Sequence, residues 1–80
     1  MAPEQIKHLI EAGLPGAQVD VTGDGAHFEA IVVSEVFRGK GALEKHRLVY
    51  STLGDRMGTG VIHALSIRAF TPEEWQNRRA

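Results

Sequence analysis

The sequence predicts an α+β fold for this 80-residue chain. Three patterns carry that prediction. Ile6, Leu9 and Ile10 recur at helical spacing, Ala17 to Thr22 alternates apolar with polar residues, and Thr71-Pro72-Glu73-Glu74 spells a helix start. Read along the chain, the elements run α-β-β-α-β-α.

The first helix covers Glu4 to Ala12, with Glu4, Lys7 and Glu11 off its apolar face. Pro3 suits the first turn, where a missing N–H costs nothing, and Gly13 suits the stop. Leu14-Pro15-Gly16 is a connector. Ala17, Val19 and Val21 then share one side of a half-buried strand, with Gln18, Asp20 and Thr22 on the other. Gly23-Asp24-Gly25 is a turn. His27 to Ser34 is a second strand, rich in β-branched residues, and so short a turn between strands makes a hairpin.

Phe37-Arg38-Gly39-Lys40-Gly41 reads as a loop. Ala42 to Met57 reads as a helix anchored by Leu43, Leu48, Val49, Leu53 and Met57. Their imperfect spacing predicts a break near His46, and Gly58-Thr59-Gly60 stops the helix. Val61 to Phe70 is the third strand. Thr71 caps a final helix with Pro72 in its first position and Glu74 completing a capping box. Trp75 pins that helix to the body, and Arg78 and Arg79 suit its C-terminal end.

Eighty residues make one domain, 1–80, with a marginal core and no room for an enclosed catalytic cavity. The absence of cysteine excludes a disulfide staple, a thiol nucleophile and a cysteine metal site. A reducing cytoplasm is therefore expected, and the N-terminus lacks the pattern of a secretory signal. The longest apolar run, Ala30-Ile31-Val32-Val33, is too short to cross a bilayer. Nine basic against ten acidic residues, a formal charge of −1, is not the excess of a dedicated nucleic-acid binder. The motifs of serine hydrolases, zinc peptidases, P-loops and dinucleotide sites are missing, which argues against an enzyme.

Three segments, in order and spanning nearly the whole chain, resemble the BolA family. They are Gly25-Ala26-His27-Phe28 leading into Ala30-Ile31-Val32-Val33-Ser34; Phe37-Arg38-Gly39-Lys40 followed by Lys45-His46-Arg47-Leu48-Val49-Tyr50; and Ile62-His63-Ala64-Leu65-Ser66-Ile67 ending in Thr71-Pro72-Glu73-Glu74-Trp75. The short first hairpin is most similar to the IbaG branch. The resemblance implies a fold akin to a class II KH domain, with a three-stranded mixed sheet covered by helices on one face. It also implies partnership with a monothiol glutaredoxin. A [2Fe–2S] cluster would be held jointly by the glutaredoxin's cysteine, a glutathione and this protein, and none would be tightly bound when the protein is alone. The expected function is iron–sulfur trafficking or iron and stress signalling.

The family's regular histidine ligand maps to His63. Many members supply a second ligand, histidine or cysteine, from the loop between the first two strands. Val21-Thr22-Gly23-Asp24-Gly25-Ala26 contains neither. His27, just past that loop, matches another common family histidine and is the second metal candidate. A neutral imidazole binds iron through one nitrogen while the other donates to an acceptor. Two histidines cannot close a four-ligand shell, so a partner or water must complete it. Outside the resemblance, His63 would read as a core histidine and His27 as a turn-flanking hydrogen-bonder. His46 is either a polar contact at the partner surface or a helix residue packed at the rim. His8 faces solvent.

Arg38, Gly39, Lys40 and Gly41, with Lys45 and Arg47 beyond, make up the notable basic cluster. It lies where a KH domain carries its backbone-clamping loop. This supports an alternative function, weak and salt-sensitive DNA binding in transcription regulation. Its structural counterpart is a solvated turn that positions a helix.

Overall fold

The computed structural model of the protein describes residues 2–24, 26–54 and 64–78. Helix α1, Pro3–Gly13, starts with its proline in the first turn, and the Gln5 side chain accepts from the Ala2 N–H at 2.9 Å. Ile6 and Ile10, one turn apart, are fully buried. Strand β1, Gln18–Gly23, pairs antiparallel with β2, Phe28–Val33, so that Gln18 faces Val33 and Gly23 faces Phe28. Strand β3, Leu65–Phe70, pairs parallel with β2, Phe28 beside Leu65 and Val33 beside Phe70. The three-stranded sheet has the order β1-β2-β3 and is mixed, as the resemblance implied.

The predicted third strand begins too early. Ala64 has helical backbone and the β-ladder opens at Leu65. The parallel partner sets this limit, since β2 itself opens at Phe28, directly after the hairpin turn. Val61, Ile62 and His63 lie outside the described residues.

Helix α2, Ala42–Leu53, runs through His46 without the expected break. The imperfect spacing came from counting Leu43 as an anchor, whereas Leu43 is 65% exposed. The buried anchors are Val49 and Leu53, a regular i, i+4 pair. The helix also ends earlier than expected. Gly54 caps it with φ +56°, a conformation that favours glycine. The expected continuation to Met57 and the stop at Gly58-Thr59-Gly60 lie outside the described residues. A Cβ on Gly13 would sit 2.5 Å from Thr52 Cγ2, so glycine at the end of α1 lets the two helices meet closely.

Phe37, read as a loop residue, belongs to the core. Ser34 Oγ accepts from the Val36 N–H at 3.2 Å and starts a 3₁₀ turn, Glu35–Phe37, that drives the ring fully inside. One side of the sheet, with Val19, Phe28, Ala30, Val32, Leu65 and Ile67, packs against α1, α2 and this ring. Helix α3, Pro72–Asn77, follows β3 and carries the expected capping box. Thr71 Oγ1 accepts from the Glu74 N–H at 3.1 Å, and Glu74 Oε1 accepts from the Thr71 N–H at 2.8 Å. Trp75 meets Phe70 with ring centroids 5.4 Å apart, and the Arg78 guanidinium stacks 3.9 Å from the Trp75 centroid.

Because Phe37 fills the junction rather than a surface loop, Phe37→Ala should cost about 3–5 kcal/mol of stability. Urea unfolding checks this; a loss no greater than that of an exposed substitution would refute the placement.

Candidate functional site

Two regions gather the candidate residues. The first is the end of the sheet where β2 and β3 both begin. Asp24 closes the hairpin here. Its Oδ1 accepts from the N–H groups of His27 at 2.8 Å and Ala26 at 2.9 Å, and its own N–H donates to the His27 carbonyl at 3.2 Å. These two amides hold the Asp24 carboxyl below the usual carboxylate range, His27 contributing most. That oxygen is therefore committed to the backbone. Gly23 is needed at the same turn, since a Cβ would lie 2.5 Å from Phe28 Cδ1 and 2.7 Å from the His27 carbonyl.

His27 thus enters β2 with its backbone pinned and its residue exposed. Its imidazole makes no hydrogen bond among the described residues, so a ring nitrogen can reach a visiting group. Phe28 is the register partner of Leu65, so His27 and the first residues of β3 occupy the same end of the sheet. From the helical side, Tyr50 Oη approaches the Leu65 carbonyl at 3.5 Å. His63, two residues before Leu65, lies outside the described residues. His46 is half-buried on α2. Among the described residues no group of three or more His, Cys, Asp or Glu side chains could hold a metal ion.

The second region is the basic segment. Gly39 has φ +78°, the left-handed conformation its turn requires, and Gly41 is the N-cap of α2. The cations do not form one patch. Arg38 donates from Nη2 and Nε to both Glu35 carboxylate oxygens, at 2.8, 2.9 and 3.2 Å, and lies 4.0 Å from Glu73. Glu35 accordingly pushes the Arg38 pKa further up. Lys45 Nζ donates to Glu74 Oε1 at 3.0 Å with its side chain only 13% exposed. Lys40 and Arg47 make no ion pair among the described residues. Together with Glu44, Leu48 and Ser51 they line a groove of about 330 Å³.

Sequence reasoning missed the Lys45–Glu74 link. The two are separated by 29 positions, and no local pattern joins them. The Arg38–Glu35 pair was visible as an i, i+3 spacing. Adjacent Glu73 and Glu74 point to different cations, as neighbours on a helix must.

Fold and site together define a small α+β module of KH-like topology. It displays imidazole and cationic groups at its surface rather than around an enclosed cavity. The chain matches the family model described as BolA-like protein over residues 7–74, and it belongs to that family. It is 38% identical over 79 residues to the acid stress protein IbaG of Escherichia coli K12, covering 99% of this chain and 94% of that one. Over 54 residues it is 39% identical to the DNA-binding transcriptional regulator BolA of the same organism, 68% of this chain and 50% of that one. The structure of a BolA protein homologue from Coxiella burnetii superposes with a TM-score of 0.83 at 44% identity, covering 95% and 97% of the two chains. No helix among the described residues is long and apolar enough to cross a membrane.

Glu74 has a testable acid-side role. The Thr71 N–H and then the Lys45 ammonium hold its carboxyl below its ordinary value of 4.5. A carboxyl whose pKa falls on folding contributes stability above the unfolded value and loses it as pH drops through the folded one. The stability gap between the protein and Glu74→Gln should therefore be full at neutral pH and shrink in acid below about 4.5. Urea unfolding across that range checks it; a gap independent of pH would show that the charge is idle.

Proposed function

We propose that the protein is a non-enzymatic adaptor. It docks onto a monothiol glutaredoxin and contributes imidazole ligands, His63 first and His27 second, to a shared [2Fe–2S] cluster. Membership of the BolA-like family supports this reading. The observation that carries it is the pairing of Phe28 with Leu65, which brings the exposed His27 to the end of the sheet where β3 begins. The donor chemistry fits a shared centre better than a private one. The chain has no cysteine, so thiolate must come from the partner and its glutathione. The cluster would supply electron or iron–sulfur transfer. The protein's own part is to pin the His27 backbone through Asp24 and to leave imidazole nitrogens accessible.

Mixing the protein with glutaredoxin, glutathione, iron and sulfide should give a coloured heterocomplex whose visible circular dichroism differs from that of the glutaredoxin alone. His63→Ala should abolish or destabilise that spectrum, and His27→Ala should weaken it less. An unchanged spectrum and cluster lifetime in His63→Ala would remove the ligand assignment.

The groove shared by Lys40 and Arg47 favours a second reading, DNA binding in transcription regulation. A relative carries that function in its name. Two phosphate contacts predict weak affinity that falls with salt at a slope of about −0.9 per contact. Lys40→Glu with Arg47→Glu should abolish it, as fluorescence anisotropy on duplex DNA would show. Absence of binding at low salt would exclude this reading.

A further inference from the structure

Helix α2 leaves a large apolar side chain in water. Leu43 is 65% exposed, more than any other large apolar residue described, and Val36 follows at 42%. It takes no part in the core cluster. A lone exposed leucine is ordinary on a protein surface, but this one has neighbours. Residues three, four and seven positions further along a helix share its side, and here they are His46, Arg47 and Tyr50. His46 and Tyr50 are half-buried, and Arg47 is exposed. Beside this stripe runs the groove of about 330 Å³ lined by Lys40, Glu44, Arg47, Leu48 and Ser51.

We propose that the stripe is where a partner protein docks, with Leu43 as its anchor. The occupant is a surface offering an apolar pocket bordered by carboxylates. The charges select that occupant. Lys40 precedes the leucine by three residues and Arg47 follows it by four, and neither makes an ion pair among the described residues. The other two cations of the segment, Arg38 and Lys45, are held by Glu35 and Glu74. An acidic rim would meet Lys40 and Arg47 while the pocket covers Leu43 and the open edge of Tyr50. A nucleic acid fits less well. Phosphate gives a leucine nothing to bury against, and Glu44 lines the same groove, where it would repel phosphate.

This inference rests on the adaptor reading and adds a place to it. Tyr50 lies about 10 Å along the helix axis from Leu43. Its hydroxyl reaches within 3.5 Å of the Leu65 carbonyl, where β3 opens. The stripe therefore runs from the first turn of α2 towards the end of the sheet that carries His27. An interface of about 800 Å² per partner spans that distance. One glutaredoxin can thus bury Leu43 and still bring its thiolate to the imidazoles.

The core does not use Leu43, so the residue can be changed without disturbing the fold. Calorimetry of the protein with a monothiol glutaredoxin, in the absence of iron and sulfide, tests the inference. The wild type should bind. Leu43→Ser should bind at least about tenfold more weakly, because the buried apolar area is lost. Leu43→Met, which keeps that area, should bind as the wild type does. Lys40→Glu with Arg47→Glu should weaken binding, and added salt should weaken the wild type. Val36→Ser, at the other exposed apolar position, should change nothing. Far-UV circular dichroism checks folding.

A Leu43→Ser variant that binds as tightly as the wild type overturns the inference. So does equal weakening by Val36→Ser. If Leu43→Ser loses affinity for duplex DNA and keeps its affinity for glutaredoxin, the stripe is a nucleic-acid surface and the inference fails. A wild type that joins glutaredoxin only once the cluster is supplied also overturns it, while the adaptor reading stands. Absence of any complex, with or without the cluster, removes both.

Discussion

The domain depends on β2 being hydrogen-bonded along both of its edges. Its antiparallel partner arrives by a tight hairpin, and its parallel partner only after the chain has crossed back over the sheet, a path that includes α2. That one requirement decides much else. It buries Ala30 and Val32 completely, and it gives α1 and α2 a continuous apolar surface. It also starts β3 beside Phe28, so that the mouth of the hairpin and the start of β3 share one end of the sheet. A one-residue slip in this ladder would turn Phe28, Ala30 and Val32 away from the helices.

At the opposite end, charge does the organising. The two carboxylates of the last helix take separate cations. Glu74 holds Lys45 of α2 and its own capping threonine, while Glu73 lies near Arg38 in the turn before α2. Exposed ion pairs contribute little individually. Lys45 is largely buried, however, and its partner also terminates a helix, so the two functions reinforce each other. The basic segment is thereby divided: two of its cations knit the last helix to the body, and two remain along the α2 groove.

The two sheet faces have different chemistry for the same geometric reason. Alternation along three strands sends β-branched and aromatic side chains to the helices and leaves acids, a base and a few apolar residues on the other side.

The sequence alone determined the kinds and order of the elements. Periodicity, the Thr71–Glu74 capping box and the glycine turn are local, and local backbone physics acts over a few residues. The family was also legible, because three motifs stand in register along the chain. What tertiary structure decided is what depends on distant partners. Leu43 and Val49 look alike as helix anchors, yet only packing against α1 and the sheet separates the exposed from the buried. Phe37 reads as a loop residue until a 3₁₀ turn lowers it into the core. The start of β3 is set by β2, and the fate of Lys45 by a carboxylate 29 positions away. Such outcomes follow from which surfaces the fold brings together, and neither residue type nor spacing encodes that.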